Sequence, residues 1–313
     1  MRNPFRLVLQ AREQLYRSGL LRTHRLRHPV ISIGNLTLGG TGKTPLTIFL
    51  AEKLQQHGFR PVILSRGYRR RSRGTLVVSR GDGPLVPWQE SGDEPSLMAR
   101  RLAGVAAVVV GESRYLAGQL AEREGLGNLF LLDDGFQHRQ LHRDFDIVTI
   151  DPAEWQLGEA LLPTGRWREP KSAITRAHAA CIQDGELALP IPQFRVRLEV
   201  DGLYRRGSRL TADSLNDRPV NAFAGIAKPD RFFATLESMG FRIARRASFP
   251  DHHQFTDGDL RITKDEVCIT TEKDAVKLED RADFLTLRVS ANIAEFDRLK
   301  ELILERLASA QCR

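Results

Sequence analysis

A short apolar strand, a glycine-rich turn and the opening of a helix follow one another in Val30-Ile31-Ser32-Ile33-Gly34-Asn35-Leu36-Thr37-Leu38-Gly39-Gly40-Thr41-Gly42-Lys43-Thr44. This stretch constrains the fold more than any other. Glycines let a backbone turn tightly and aim its N–H groups inward at phosphate oxygens. In such a loop Lys43 reaches the terminal phosphates and the Thr44 hydroxyl binds Mg²⁺. A helix opening at about Thr44 adds its partial positive charge. The strict spacing G-x-x-x-x-G-K-[ST] asks for glycine where this chain has Thr37, but the core Gly39-Gly40-Thr41-Gly42-Lys43-Thr44 is intact. The expected nucleotide contacts are Thr37, Gly39, Gly40, Thr41, Gly42, Lys43 and Thr44. A turn made only for packing is the alternative. The apolar positions Leu46, Ile48, Phe49, Leu50 and Leu54 supply the helix that the phosphate reading requires.

Downstream the chain alternates strands and helices. Strands are expected at 61–64, 75–78, 106–110, 128–132 and 145–150, with helices from about Asp93 and Glu112. That alternation predicts an α/β fold, P-loop NTPase-like, with a mostly parallel sheet covered on both faces. Ligands bind at the carboxyl ends of strands in such folds. The pattern changes after about Pro170. Residues 193–206 read as a β-hairpin turning at Asp201-Gly202. A second, smaller α/β unit follows, with strands at 220–225, 241–244, 266–270 and 284–289 and helices at 230–239 and 294–307. A chain of 313 residues suggests two domains. They are placed at 1–178 and 179–313, joined by the hairpin.

The formal net charge is +8, which points to an anionic partner: nucleotide, nucleic acid or anionic lipid. No nucleic-acid-binding motif accompanies the charge, so nucleic acid is not expected. Cys181, Cys268 and Cys312 lie far apart and read as reduced thiols of a cytosolic protein. No apolar run reaches the ~18 residues of a membrane span, and no signal peptide is evident. The segment from Met1 to His28 holds seven arginines and one acid, Glu13. Asn3 and Pro4 suit a helix cap and first turn. Phe5, Val8, Leu9, Leu15 and Tyr16 would then share one face, ringed by arginines. Such a helix either lies on an anionic membrane or packs on its own domain.

The chemical candidates gather at strand ends. Asp133 and Asp134 close an apolar strand, where one of them can hold Mg²⁺ or simply make a turn. Gln137 and His138 follow. In Gly92-Asp93-Glu94-Pro95, Asp93 suits a helix cap with Pro95 in the first turn, or else Asp93 or Glu94 serves as base or metal partner. His252 and His253 lack a third ligand at zinc spacing; a histidine paired with an acid can instead take a proton from a hydroxyl nucleophile. Arg166 or Arg168 can offset charge on a transferring phosphoryl group, or belong to a solvated basic turn. The run Thr271 to Lys277 reads as a strand end and a helix opening.

Taken in order, these motifs resemble the tetraacyldisaccharide 4′-kinase (lipid A 4′-kinase) family along nearly the whole chain. The matching segments are the basic N-terminus, Gly34 to Pro45, Ser65-Arg66-Gly67-Tyr68, Gly92 to Pro95, Asp133 to His138, Gly165 to Pro170, Phe249 to His252 and Thr271 to Lys277. The resemblance implies ATP-dependent phosphorylation of the 4′-hydroxyl of a lipid A disaccharide precursor at the cytoplasmic face of the inner membrane. It implies ATP and Mg²⁺ as cofactors, with the metal near Thr44, Glu94, Asp133 and Asp134. It implies Asp93 and His252 as the base and makes Arg168 and Glu169 active-site residues. Arg66, Gln137, His138 and Glu169 become the expected substrate contacts. His253 stands where some relatives carry an aromatic residue. The anionic inner-membrane surface is the expected partner, with no obligate protein partner evident. The rivals are a membrane-recruited P-loop ATPase switch, which would dimerise with ATP and modify no lipid, and a kinase of a soluble metabolite.

Overall fold

Strand residues in the first half are buried whichever way they point, which requires cover on both faces of the sheet. A computed structural model describes residues 4–210, 219–263, 267–278 and 281–311. Its strands are β1 (Val30–Gly34), β2 (Pro61–Ser65), β3 (Leu76–Ser79), β4 (Ala107–Val110), β5 (Leu129–Asp133), β6 (Phe145–Ile150) and β7 (Ala179–Gln183). They continue with β8 (Gln193–Arg205), β9 (Ser208–Arg209), β10 (Val220–Ala224), β11 (Ile243–Ser248), β12 (Cys268–Thr271) and β13 (Leu285–Ile293). All belong to one sheet in the order β11-β10-β12-β13-β8-β7-β6-β1-β5-β2-β4-β3, with β9 beside β8. Pairing is parallel except at β3·β4, β8·β9 and β8·β13. The mostly parallel α/β fold read from the sequence is the fold observed.

The helices are α1 (Pro4–Arg17), α2 (Lys43–Gln56), α3 (Trp88–Ser91), α4 (Asp93–Arg101), α5 (Arg114–Arg123), α6 (Pro152–Gln156), α7 (Pro229–Ser238), α8 (Glu272–Ala275) and α9 (Phe296–Gln311). Leu129 and Leu131 of β5 pack with Leu46 and Leu50 of α2, whereas Phe130 and Leu132 pack with Ala117 and Ala121 of α5. The C-terminal helix returns to the first half: Phe296, Leu299 and Ile303 join the α2 core, together with Ala179 and Cys181 of β7. The anticipated boundary at 178/179 therefore lies inside one packed core. A second core, around Ala222, Phe233, Leu236 and Ile269, belongs to β10, α7 and β12.

Some local expectations are corrected. The chain does not reverse at Asp201-Gly202. β8 runs on through it, because β13 pairs on both sides, Gly202 with Arg288 and Val200 with Val289, leaving Asp201 as the extra residue of a bulge. The turn comes at Arg206-Gly207, whose φ values of 50° and 85° suit a tight hairpin into β9. The strand expected at 241–244 starts at Ile243, because Phe241 donates its N–H to Leu236 and completes the end of α7. The last strand reaches Ile293, since β8 pairs with it as far as Val196. Strand β12 begins at Cys268, and the Asn3 cap and Glu266 lie outside the described residues.

Candidate active site

The glycine-rich loop joins β1 to α2 and is tied down from two sides. Its buried Thr41 hydroxyl lies 2.8 Å from the Thr149 hydroxyl and accepts from Asn35 Nδ2 at 3.1 Å. On the other side residues 165–168 run along it almost as a strand. Leu38 N–H donates to Arg166 O at 2.7 Å, and Arg168 N–H donates to Leu36 O at 2.7 Å. Gly42 precedes the helix with φ 70°, a left-handed conformation that favours glycine, and a Cβ there would stand 2.2 Å from Gln183 Nε2 and displace that amide. The Thr37 hydroxyl donates to Glu154 at 2.8 Å. Thr37 and Thr41 thus spend their hydroxyls shaping the loop. The Thr44 hydroxyl makes no side-chain hydrogen bond among the described residues.

That staple of residues 165–168 also delivers Arg168. Its guanidinium meets Asp134 at 2.8 and 2.9 Å and reaches Gln137 Oε1 at 3.5 Å. Lys43 Nζ lies 3.5 Å from the same Asp134. Burial works to raise the Asp134 pKa, but Lys43 and Arg168 outweigh it and hold the carboxyl below its usual range. Asp133 is different. Burial first, then the charges of Glu94 and Asp134, push it up to about 7, against a 3.2 Å hydrogen bond from Ser65. The charge of Lys43 opposes that rise, and the Thr44 hydroxyl lies on the same loop as Lys43. Among the described residues no three His, Cys, Asp or Glu side chains gather closely enough to hold a metal alone. Thr44, Glu94, Asp133 and Asp134 are the residues that could hold Mg²⁺, which binds through one or two carboxylates and completes its shell with phosphates and water.

Asp93 is the first residue of α4, buried, and His252 follows β11 with φ 62°. Nδ1 of His252 lies 2.8 and 3.1 Å from the two Asp93 oxygens. Burial opposes ionisation of Asp93, yet the hydrogen bond from His252 and the charge of Lys273 carry its pKa below the usual value. The Tyr68 ring packs edge-on against His252, with centroids 5.0 Å apart. Lys273 bridges to Glu94 at 2.9 Å and Asp251 at 3.0 Å. A chain of charged groups therefore leads from Lys43 through Asp134, Asp133, Glu94 and Lys273 to His252. His253 is turned away, stacked on Phe249 and bonded to Asp259 at 3.1 Å.

Other expected residues sit at the rim. Gln137 donates to Asn35 O at 2.8 Å and accepts at its backbone from Arg12 of α1 at 2.6 Å. His138 buries an unpartnered Nε2. Glu169 accepts from Arg176 at 2.6 Å. Arg66 is exposed just beyond β2 and makes no hydrogen bond or ion pair among the described residues. Sequence reasoning gave no role to Lys273 or to Arg114, which is buried close enough to Asp133, Asp134 and Arg66 for their charges to act on it. Lys273 lies two residues past the end of β12, so the rule about carboxyl ends of strands was the available signal.

The loop, its lysine and the parallel sheet define the class: a P-loop-type α/β protein. A family model described as "Tetraacyldisaccharide-1-P 4'-kinase" matches residues 2–308. Tetraacyldisaccharide 4'-kinase of Aquifex aeolicus (strain VF5) is 38% identical over 302 residues, covering 95% of this chain and 94% of that protein. The protein of the same name from Desulfotalea psychrophila is 37% identical over 330 residues, covering 96% and 93%. A crystal structure of LpxK from Aquifex aeolicus in complex with ATP superimposes with a TM-score of 0.85 at 36% identity, covering 97% of this chain and 96% of that one. The chain belongs to the tetraacyldisaccharide 4'-kinase family, and it is an ATP-dependent kinase.

Proposed function

We propose that this kinase transfers the γ-phosphate of ATP to the 4′-hydroxyl of a tetraacyldisaccharide 1-phosphate, the lipid A precursor, with His252 as the base and Asp93 as its orienting partner. The observation that carries this reading is the 2.8 Å hydrogen bond from His252 Nδ1 to Asp93, at the end of the charge chain that starts on Lys43. With Nδ1–H committed to a carboxylate, Nε2 is left to accept the sugar hydroxyl proton. The sugar oxygen then bonds to the γ-phosphorus while the bond to the bridging oxygen of ADP breaks, and ADP leaves with that electron pair. Asp93 stabilises the imidazolium that results.

Lys43 and Arg168 face the phosphate chain and offset charge on the transferring group. Thr44, Glu94, Asp133 and Asp134 are the residues that would hold Mg²⁺, which neutralises phosphate charge when bound. Arg66, Gln137, His138 and Glu169 line the approach of the acceptor, whose 1-phosphate suits the unpaired Arg66.

The lipid acceptor calls for a membrane surface. Among the described residues no helix is long and apolar enough to cross a bilayer. Phe5 and Leu9 of α1 pack on the protein, while Leu7 and Val8 are 55% and 61% exposed and Leu15, Leu20 and Leu21 also face out. The single apolar face expected from the sequence is thus divided between two faces. We take the outer one, with its arginines, as the contact with the cytoplasmic leaflet of the inner membrane. The test of the whole reading is incubation with ATP-Mg²⁺ and a tetraacyldisaccharide 1-phosphate, followed by mass spectrometric location of the added phosphate. Phosphate at the 4′-position is expected; ADP release without a phosphorylated lipid would reject the proposal.

A further inference from the structure

Lys273 is the second residue of α8 and its side chain is 16% exposed. Its Nζ faces Glu94 at 2.9 Å, Asp251 at 3.0 Å and Nε2 of His252 at 3.3 Å. An ammonium has three donors and no acceptor, and these three neighbours take one each. The Asp93 carboxylate on the other side of the ring can only accept. Both ring nitrogens are thereby assigned: Nδ1 carries the hydrogen and Nε2 offers its lone pair to Lys273.

We propose that Lys273 is a positioning residue that caps Nε2 of His252, whose Nδ1–H is held by Asp93, until the acceptor hydroxyl replaces the ammonium there. A capped Nε2 cannot take a proton from water, so ATP is spared hydrolysis while no acceptor is bound. When the hydroxyl arrives, the ammonium keeps Glu94 and Asp251 as partners and loses only the imidazole. Lys273 gains and loses no proton in the cycle; the hydroxyl proton goes to Nε2 as described above. The proposal rests on His252 being the base.

The test uses the full chain labelled with ¹⁵N-histidine, without nucleotide or lipid. Two-bond ¹H–¹⁵N spectra read the His252 tautomer, with the signal assigned by its loss in His252→Gln. The wild type is expected in the Nδ1–H form. Lys273→Met is expected to keep the Nδ1–H form that Asp93 holds, to move the Nε2 resonance toward that of an unbonded lone pair and to raise acceptor-free ATP hydrolysis about tenfold, whereas Lys273→Arg, still a pure donor, keeps the wild-type Nε2 resonance. Lys273→Ala likewise offers no donor to Nε2 and is read in the same way if Lys273→Met does not fold. An unchanged Nε2 resonance in the Met or Ala variant, or hydrolysis at the wild-type rate, overturns the proposal. Failure of the underlying base assignment shows separately, as undiminished lipid phosphorylation by His252→Gln.

Discussion

His252 and Asp93 stand 159 positions apart in the chain and are joined by a hydrogen bond of 2.8 Å. The bond links the loop after β11 to the first residue of α4, so the imidazole is aimed by an element of the nucleotide-binding half. An asparagine at 93 keeps the shape but cannot stabilise an imidazolium. Asp93→Asn is expected to lower kcat by about 10²–10⁴-fold and to leave ATP affinity within about twofold. Steady-state kinetics together with calorimetric ATP binding check it; a kcat near that of the wild type would remove Asp93 from the chemistry.

Arg168 grips Asp134 with one guanidinium nitrogen and reaches Gln137 from the same atom. Lysine offers charge without the planar fork. Arg168→Lys is expected to lower kcat/KM about 10–100-fold, mostly in kcat. A change confined to the KM for ATP would show that Arg168 only binds the ground state.

His138 gives the site an acid sensitivity. Burial, and then the guanidinium of Arg114, push its imidazole down to about 3, whereas the unfolded chain takes up the proton near the ordinary value of about 6.5. Between those values the unfolded state binds more protons, so this contribution to stability is present above about 6.5 and lost as pH falls. The slope from one such group is at most about 1.4 kcal/mol per pH unit. His138→Leu is expected to lose less stability than the wild type between pH 7 and pH 5, read from denaturant midpoints. Equal losses in both proteins would contradict the assignment.

The outward residues of α1 make a prediction independent of catalysis. Leu7→Glu with Val8→Glu removes two exposed apolar side chains and adds two negative charges. Partitioning onto vesicles containing anionic lipid is expected to fall by about tenfold or more, with the melting temperature unchanged because neither side chain is buried. Unaltered sedimentation with vesicles would reject the membrane face.

The parallel sheet and the glycine loop were legible because both are local patterns: apolar runs of strand length and a turn with fixed spacing. The pairing of Asp93 with His252 was legible only through family resemblance, since spacing alone says nothing about which loops meet. The Asp201-Gly202 step misled because its turn chemistry is genuine; pairing of β8 with β13 on both sides overrode it and moved the reversal to Arg206-Gly207. The place of α9 was hidden for a related reason. Its apolar stripe of Phe296, Leu299 and Ile303 fits any core, and the one it joins lies under β1, β5 and β6. Leu299→Ala is accordingly expected to cost about 2–5 kcal/mol in global unfolding.

The central claim is that an imidazole from the later half of the chain takes the acceptor proton. A single-turnover assay with saturating ATP-Mg²⁺ and lipid acceptor tests it most directly in His252→Gln. The account predicts phosphoryl transfer slowed by about 100-fold or more, with ATP binding intact and the Asp93→Asn defect not adding to it. Transfer at the wild-type rate from His252→Gln would contradict it.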